Sequence, residues 1–170
     1  MRFIKKKKII DENVKIDPIT DITSSFFYTG YFPAASGTVA SLAALAVFLL
    51  KIFHDPLILS LLVIVSFVSG IFTAKTMMKR YGDDPSVVVI DEAAGMWITV
   101  LIVLILSPGR TDLISLAICF LAFRFFDITK IQPAKYFDKL HTGFGVMMDD
   151  VVAGVYAGVV SYLIILIVDS

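Results

Sequence analysis

Apolar runs at about 38–54, 57–74, 86–106, 112–126 and 149–168 succeed one another with only short polar breaks between them. Inside a bilayer a lone segment must satisfy its own backbone polar groups, which leaves the helix as the form open to it. The expected fold class is therefore all-α: a polytopic membrane helical bundle with four or five hydrophobic helices. A mean hydropathy of +0.87 and a hydrophobic content of 58% agree with that reading. The first and fourth runs are short for the roughly 20 residues a span requires, so one of them is expected to be tilted or re-entrant.

The polar breaks suggest the rest of the layout. Residues 1–20 read as a basic cytoplasmic segment, with Arg2, Lys5 to Lys8 and Lys15 near anionic headgroups, and residues 21–170 as the membrane-embedded domain. Residues 18–36 are aromatic and polar and fit an interfacial segment. His54-Asp55-Pro56 is expected to turn the chain between the first two runs. Asp84 and Pro85 look like the N-cap and first position of the third. Gly143 and Gly145 are expected to allow a turn before the fifth. If all five runs cross, 13 of the 15 Lys and Arg residues fall on one side, which the positive-inside rule makes cytoplasmic. Nothing in the charge pattern suggests nucleic acid. The single cysteine, Cys119, sits inside an apolar run, so neither a disulfide framework nor a thiolate nucleophile is expected.

Five acids then fall at similar depth on the cytoplasmic side. Asp91 and Glu92 lie near the start of the third run, Asp127 at the end of the fourth, and Asp149 and Asp150 at the start of the fifth. Taken singly, Asp149 or Asp150 could be an N-cap, and Asp127 could pair with Arg124 or Lys130 three residues away. Asp91 and Glu92 resist such readings. A helix begun after them would keep only about 14 apolar residues, too few to span, so they belong within it. A charge inside a membrane helix costs up to about 2.5–3.5 kcal/mol, and so marks a functional position.

Carboxylates gathered from three segments repel unless they take up protons or share a cation. Oxygen ligands without cysteine or a histidine pair point to magnesium or manganese. Arg124 and Lys130 beside them suggest an anionic ligand, most simply a phosphate. Gly37 and Thr38, which open the first run, and His141 are further candidate phosphate contacts. Two functions stay open on these residues: a metal-dependent enzyme acting on phosphorylated lipids, or a non-catalytic or transport protein that binds divalent cations or phosphate. Acids confined to one membrane edge favour the first.

Four separated stretches, TGYFPAASGTVASLAA (29–44), VVIDEAAGMWIT (88–99), FRFFDITKIQP (123–133) and HTGFGVMMDDVVAGV (141–155), resemble the phosphatidylglycerophosphatase A family. The resemblance implies a magnesium-dependent lipid phosphatase of the bacterial cytoplasmic membrane. It would convert phosphatidylglycerophosphate to phosphatidylglycerol and phosphate at the cytoplasmic face. It also implies Asp91, Glu92, Asp127, Asp149 and Asp150 as metal ligands and Arg124 and Lys130 as phosphate contacts. Asp149 is the candidate general base, and an aspartyl-phosphate intermediate stays open. Two positions depart from the family pattern: Ser36-Gly37-Thr38 stands where Pro-Gly-Thr is usual, and Lys130-Ile131 where Lys-Pro is usual.

Overall fold

The computed structural model describes residues 9–83 and 85–169, and every regular element among them is helical. Arg2, Lys5 to Lys8 and Asp84 lie outside the described residues. The helices are α1 (Pro18–Ser24), α2 (Ser36–Leu45), α3 (Pro56–Tyr81), α4 (Ile90–Leu106), α5 (Leu113–Thr129), α6 (Ala134–Asp138) and α7 (Gly143–Val168).

Local chemistry sets most of their beginnings. Asp17, Asp55 and Asp112 cap α1, α3 and α5 by accepting backbone N–H groups of the first turn, and Pro18 and Pro56 follow two of these caps. Thr142 does the same for α7, its Oγ1 accepting from Gly145 N at 3.0 Å. Helix α4 has no such cap. It begins at Ile90 rather than at Pro85, so Asp91 and Glu92 occupy its first turn, where the helix dipole favours negative charge. Gly143 and Gly145 also differ from expectation. Both lie in the first turn of α7, and each is required by a close approach rather than by a turn. A Cβ on Gly143 would sit 2.2 Å from Ile71 O, and one on Gly145 would sit 2.6 Å from Phe137 O. Asp149 and Asp150 consequently lie about two turns inside α7 and do not cap it.

Two of the described helices, α3 and α7, are long and apolar enough to cross a membrane. Helices α4 and α5 have 17 residues each, about 25 Å of rise against a hydrocarbon core of roughly 30 Å. The first apolar run is not one helix: α2 ends at Leu45, and two 3-10 turns, Ala46–Leu49 and Lys51–His54, carry the chain back toward α3. His54 ties that bend, its ring nitrogens lying 2.9 Å from Phe48 O and 3.0 Å from Thr111 Oγ1. Outward-facing Leu57, Leu61, Ile64, Val68 and Phe72 make α3 apolar on its exposed side, as a lipid-facing helix should be.

Helix α4 is the centre. Ala93 to Val100 are buried without a break, which an amphipathic surface helix would not allow. Trp97 Nε1 donates to Ala44 O of α2 at 2.8 Å. On the opposite side α4 crosses α7 at a pair of glycines, where a Cβ on Gly154 would lie 2.5 Å from Gly95 O. Thr99 Oγ1 spans the crossing, 3.0 Å from Gly95 O and 3.2 Å from Gly154 O. Small residues that let backbones touch are the usual means of holding helices together in lipid. Gly154→Val is therefore expected to lose about 1–3 kcal/mol of stability through overpacking, read as a lower thermal unfolding midpoint in detergent. An unchanged midpoint would contradict this crossing.

Candidate active site

The first turn of α4, the last turn of α5 and the second turn of α7 end around one polar cavity of about 320 Å³. Six carboxylates line it, from Asp91, Glu92, Asp127, Asp138, Asp149 and Asp150, against two cations, Arg124 and Lys130. Both cations are already engaged. Arg124 Nη1 lies 2.7 Å from Asp127 Oδ2, one helical turn along α5, and 3.4 Å from Ser41 Oγ of α2. Lys130 Nζ donates to Asp149 Oδ2 at 2.7 Å and also to Asp138 Oδ1. Partial burial works against the Lys130 ammonium, but Asp138 and Asp149 outweigh it and hold its pKa above the ordinary lysine range.

That pairing leaves Asp91, Glu92 and Asp150. Each offers a carboxylate oxygen, and the three oxygens lie within 4.8 Å of one another. None of the three forms a salt bridge with a described side chain. Asp91 Oδ1 and Glu92 Oε2 are buried without any hydrogen-bond partner, and so is Arg124 Nε. Buried polar atoms ordinarily find partners, so this cluster is shaped to receive something else. An all-oxygen trio suits a hard divalent cation.

The backbone around the cavity is held in conformations that L-residues avoid. Lys130 caps α5 in the left-handed region (φ 45°, ψ 56°), and Ala35 caps α2 there (φ 52°, ψ 42°). Each costs on the order of 1–2 kcal/mol, and such outliers gather where a site dictates the geometry.

Of the residues expected from sequence, Gly37, Asp91, Glu92, Arg124, Asp127, Lys130, Asp149 and Asp150 all line the cavity. Thr38 does not. His141 does not either: it lies on another cavity beside Asp83, its Nδ1 3.7 Å from Asp83 Oδ2. Gly37 contributes differently from expectation. A Cβ on it would stand 2.2 Å from Glu92 Oε1, so its bareness makes room for that carboxylate. Asp138 and Ser41 escaped the sequence reading. Asp138 meets Lys130 only because the chain doubles back through α6, and Ser41 reaches Arg124 from 83 residues away. Ser36, read from sequence only as a departure from the family pattern, donates its hydroxyl to Ser86 O at 2.9 Å and ties the start of α2 to the approach to α4.

Fold and cavity together define the class: an all-helical protein, two of whose described helices are long and apolar enough to cross a membrane, with a carboxylate-rich polar pocket built at the ends of its core helices. Comparison with known proteins makes this particular. The profile of the family described as Phosphatidylglycerophosphatase A matches residues 22–165. A Phosphatidylglycerophosphatase A of Escherichia coli strain K12 is 31% identical over 160 residues, covering 93% of this chain and 90% of the relative. One of Haemophilus influenzae is 38% identical over 141 residues, covering 81% and 83%. A Bacteroides thetaiotaomicron protein, provisionally named a phosphatidylinositol-3-phosphatase, is 36% identical over 137 residues, covering 77% and 84%. No solved structure matches the chain. The chain belongs to the phosphatidylglycerophosphatase A family, and it is a phosphatase.

Gly37→Ala is expected to displace the Glu92 carboxylate, the flexible end of a long side chain, while sparing the fold. Phosphate release should fall at least about tenfold, equivalent to roughly 1.4 kcal/mol, with the unfolding midpoint little changed. Full activity in this variant would remove Glu92 from the working arrangement.

Proposed function

We propose that the chain hydrolyses the terminal phosphomonoester of phosphatidylglycerophosphate at the cytoplasmic face of the membrane, giving phosphatidylglycerol and phosphate, and that it needs magnesium to do so. The observation that carries the metal requirement is the division of charge in the pocket. Arg124 and Lys130 are paired with Asp127, Asp138 and Asp149, and the acids left over, Asp91, Glu92 and Asp150, are the ones whose oxygens cluster within 4.8 Å. The orphaned buried oxygens of Asp91 and Glu92 fit a cation ligand set, with Asp150 as the third carboxylate. These three residues would hold the ion, and when bound, magnesium supplies Lewis-acid polarisation of phosphate oxygens and a more acidic water.

The remaining chemistry falls to side chains. Arg124 and Lys130 face the developing charge on the phosphoryl oxygens. The orphaned Nε of Arg124 gives it an N–H to spare for an anionic oxygen. Asp149 takes the proton of the attacking water. It can do so without stranding Lys130, because Asp138 remains as that lysine's partner. The water oxygen bonds to phosphorus, the bond from phosphorus to the glycerol oxygen breaks, and Asp149 returns the proton it took from water to the glycerol oxygen, which leaves as an alcohol. The lipid's acyl chains stay among the outward apolar faces while its headgroup enters the cavity.

The name of the Bacteroides relative favours one second reading, in which a phosphorylated inositol lipid is the substrate. Phosphate release in mixed micelles decides between them. On the first reading phosphatidylglycerophosphate turns over at least about tenfold faster than phosphatidylinositol 3-phosphate, a margin of roughly 1.4 kcal/mol. The reverse ranking transfers the assignment to the inositol lipid. Asp91→Asn and Asp150→Asn are each expected to lower turnover at least about a hundredfold in folded protein. Chelation should abolish turnover and magnesium restore it. Undiminished activity in both variants, or activity indifferent to chelation, would refute the ligand set.

A further inference from the structure

A second cavity, of about 520 Å³, opens where the first turn of α7 crosses α3, and it shares no lining residue with the acidic pocket. The crossing is tight, since Gly143 rests against the backbone of Ile71 and Lys75. Ile71, Met78 and Phe144 give the cavity an apolar floor. Lys75 and Lys79, one turn apart on α3, stand at its rim and are both exposed. The other ionisable groups lining it are Asp83 and His141, which face each other at 3.7 Å. Among the described residues no carboxylate pairs with either lysine, whereas Arg110, Arg124 and Lys130 all have acidic partners.

Depth identifies the occupant. Lys75 lies 19 residues beyond Pro56, the first residue of α3, or about 28 Å along a helix axis. That is close to the roughly 30 Å thickness of the hydrocarbon core, so the two lysines stand at headgroup level. Below them the exposed Phe72 and the half-exposed Phe144 face acyl chains. Free phosphate would leave the apolar floor uncovered, and a neutral lipid would leave the lysines unmatched.

We propose that this cavity binds an acidic phospholipid of the surrounding bilayer, its phosphodiester on Lys75 and Lys79 and an acyl chain against Ile71, Met78 and Phe144. The site is distinct from the catalytic pocket. The lipid would nevertheless rest on the first turn of the helix that carries Asp149 and Asp150, and so brace it against α3.

The test uses the full chain in phosphatidylcholine membranes, with spin-labelled phosphatidylserine as probe, a diester without the phosphomonoester that the pocket hydrolyses. Electron paramagnetic resonance then gives the protein-associated fraction of phosphatidylserine relative to phosphatidylcholine. The wild type should prefer phosphatidylserine at least about fivefold, and Lys75→Gln/Lys79→Gln should bring the ratio near one. The same double variant should hydrolyse detergent-dispersed substrate within about twofold of wild type. A wild-type ratio near one, or an unchanged ratio in the variant, overturns the site. Loss of turnover in the folded variant overturns its separation from the pocket. Displacement by inorganic phosphate, but not by chloride at matched ionic strength, would reassign it to soluble phosphate. Should the double variant not fold, the wild type suffices: the preference must fall as salt rises from about 50 mM to about 500 mM, and a salt-independent preference sinks the proposal.

Discussion

The contact between Gly95 and Gly154 governs the distance between the two halves of the acidic cluster. Gly95 lies one helical turn beyond Asp91 and Glu92, and Gly154 lies one turn beyond Asp150. A Cβ on Gly95 would also strike Asp150 O at 2.7 Å and the Phe123 ring at 2.6 Å. Any side chain at the crossing would force α4 and α7 apart, and the carboxylates one turn away would separate with them. The packing requirement of this helix pair and the spacing requirement of the acidic trio are thus met by the same two residues.

Around that crossing, charge is distributed by distance rather than by count. Lys130, in a strained left-handed conformation at the end of α5, sits between Asp138 and Asp149. Arg124 sits between Asp127 and Ser41. Had either cation reached the Asp91–Glu92–Asp150 trio, the buried oxygens of Asp91 and Glu92 would have found a partner and Asp127 or Asp149 would have lost one. Instead the strain at Lys130 is retained and the trio is left without a side-chain counterion. A scaffold that keeps both features invests stability in a site rather than in itself.

Much of this arrangement was legible in the chain. Acids in otherwise apolar runs are costly enough to stand out, and Asp91, Glu92, Asp127, Asp149 and Asp150 all line the cavity. The apolar runs gave the existence of α3, α4, α5 and α7, although the caps Asp55, Asp112 and Thr142 were not read as such. What escaped were features that depend on contacts between distant residues. Gly143 and Gly145 look like turn glycines, yet their bareness answers to Ile71 and Phe137, which no local pattern announces. His141 shares a motif with Asp149 and Asp150 but precedes α7, and about two turns of helix carry it away from them. Asp138 carried no signal at all, since its pairing depends on the path of the chain through α6. The break after α2 was also invisible, because Ala46 to Leu49 continue the apolar run while the backbone leaves the helix.

The two departures from the family pattern illustrate how a local rule can be exchanged for a contact. Proline at the start of a helix preorganises its first turn; Ser36 in that place brings no such restraint, but its hydroxyl binds Ser86 O and fastens α2 to the segment that leads into α4. At position 131 the exchange runs the other way. A proline there would disfavour helical backbone at the residue before it, pushing that residue toward extended conformations. With Ile131 instead, Lys130 is free to take the left-handed cap from which its ammonium reaches both Asp138 and Asp149. The loss of one rigid residue beside the pocket thereby permits another conformation that the ion pairs hold in place. Rigidity at this site resides in the network of charges rather than in the covalent backbone.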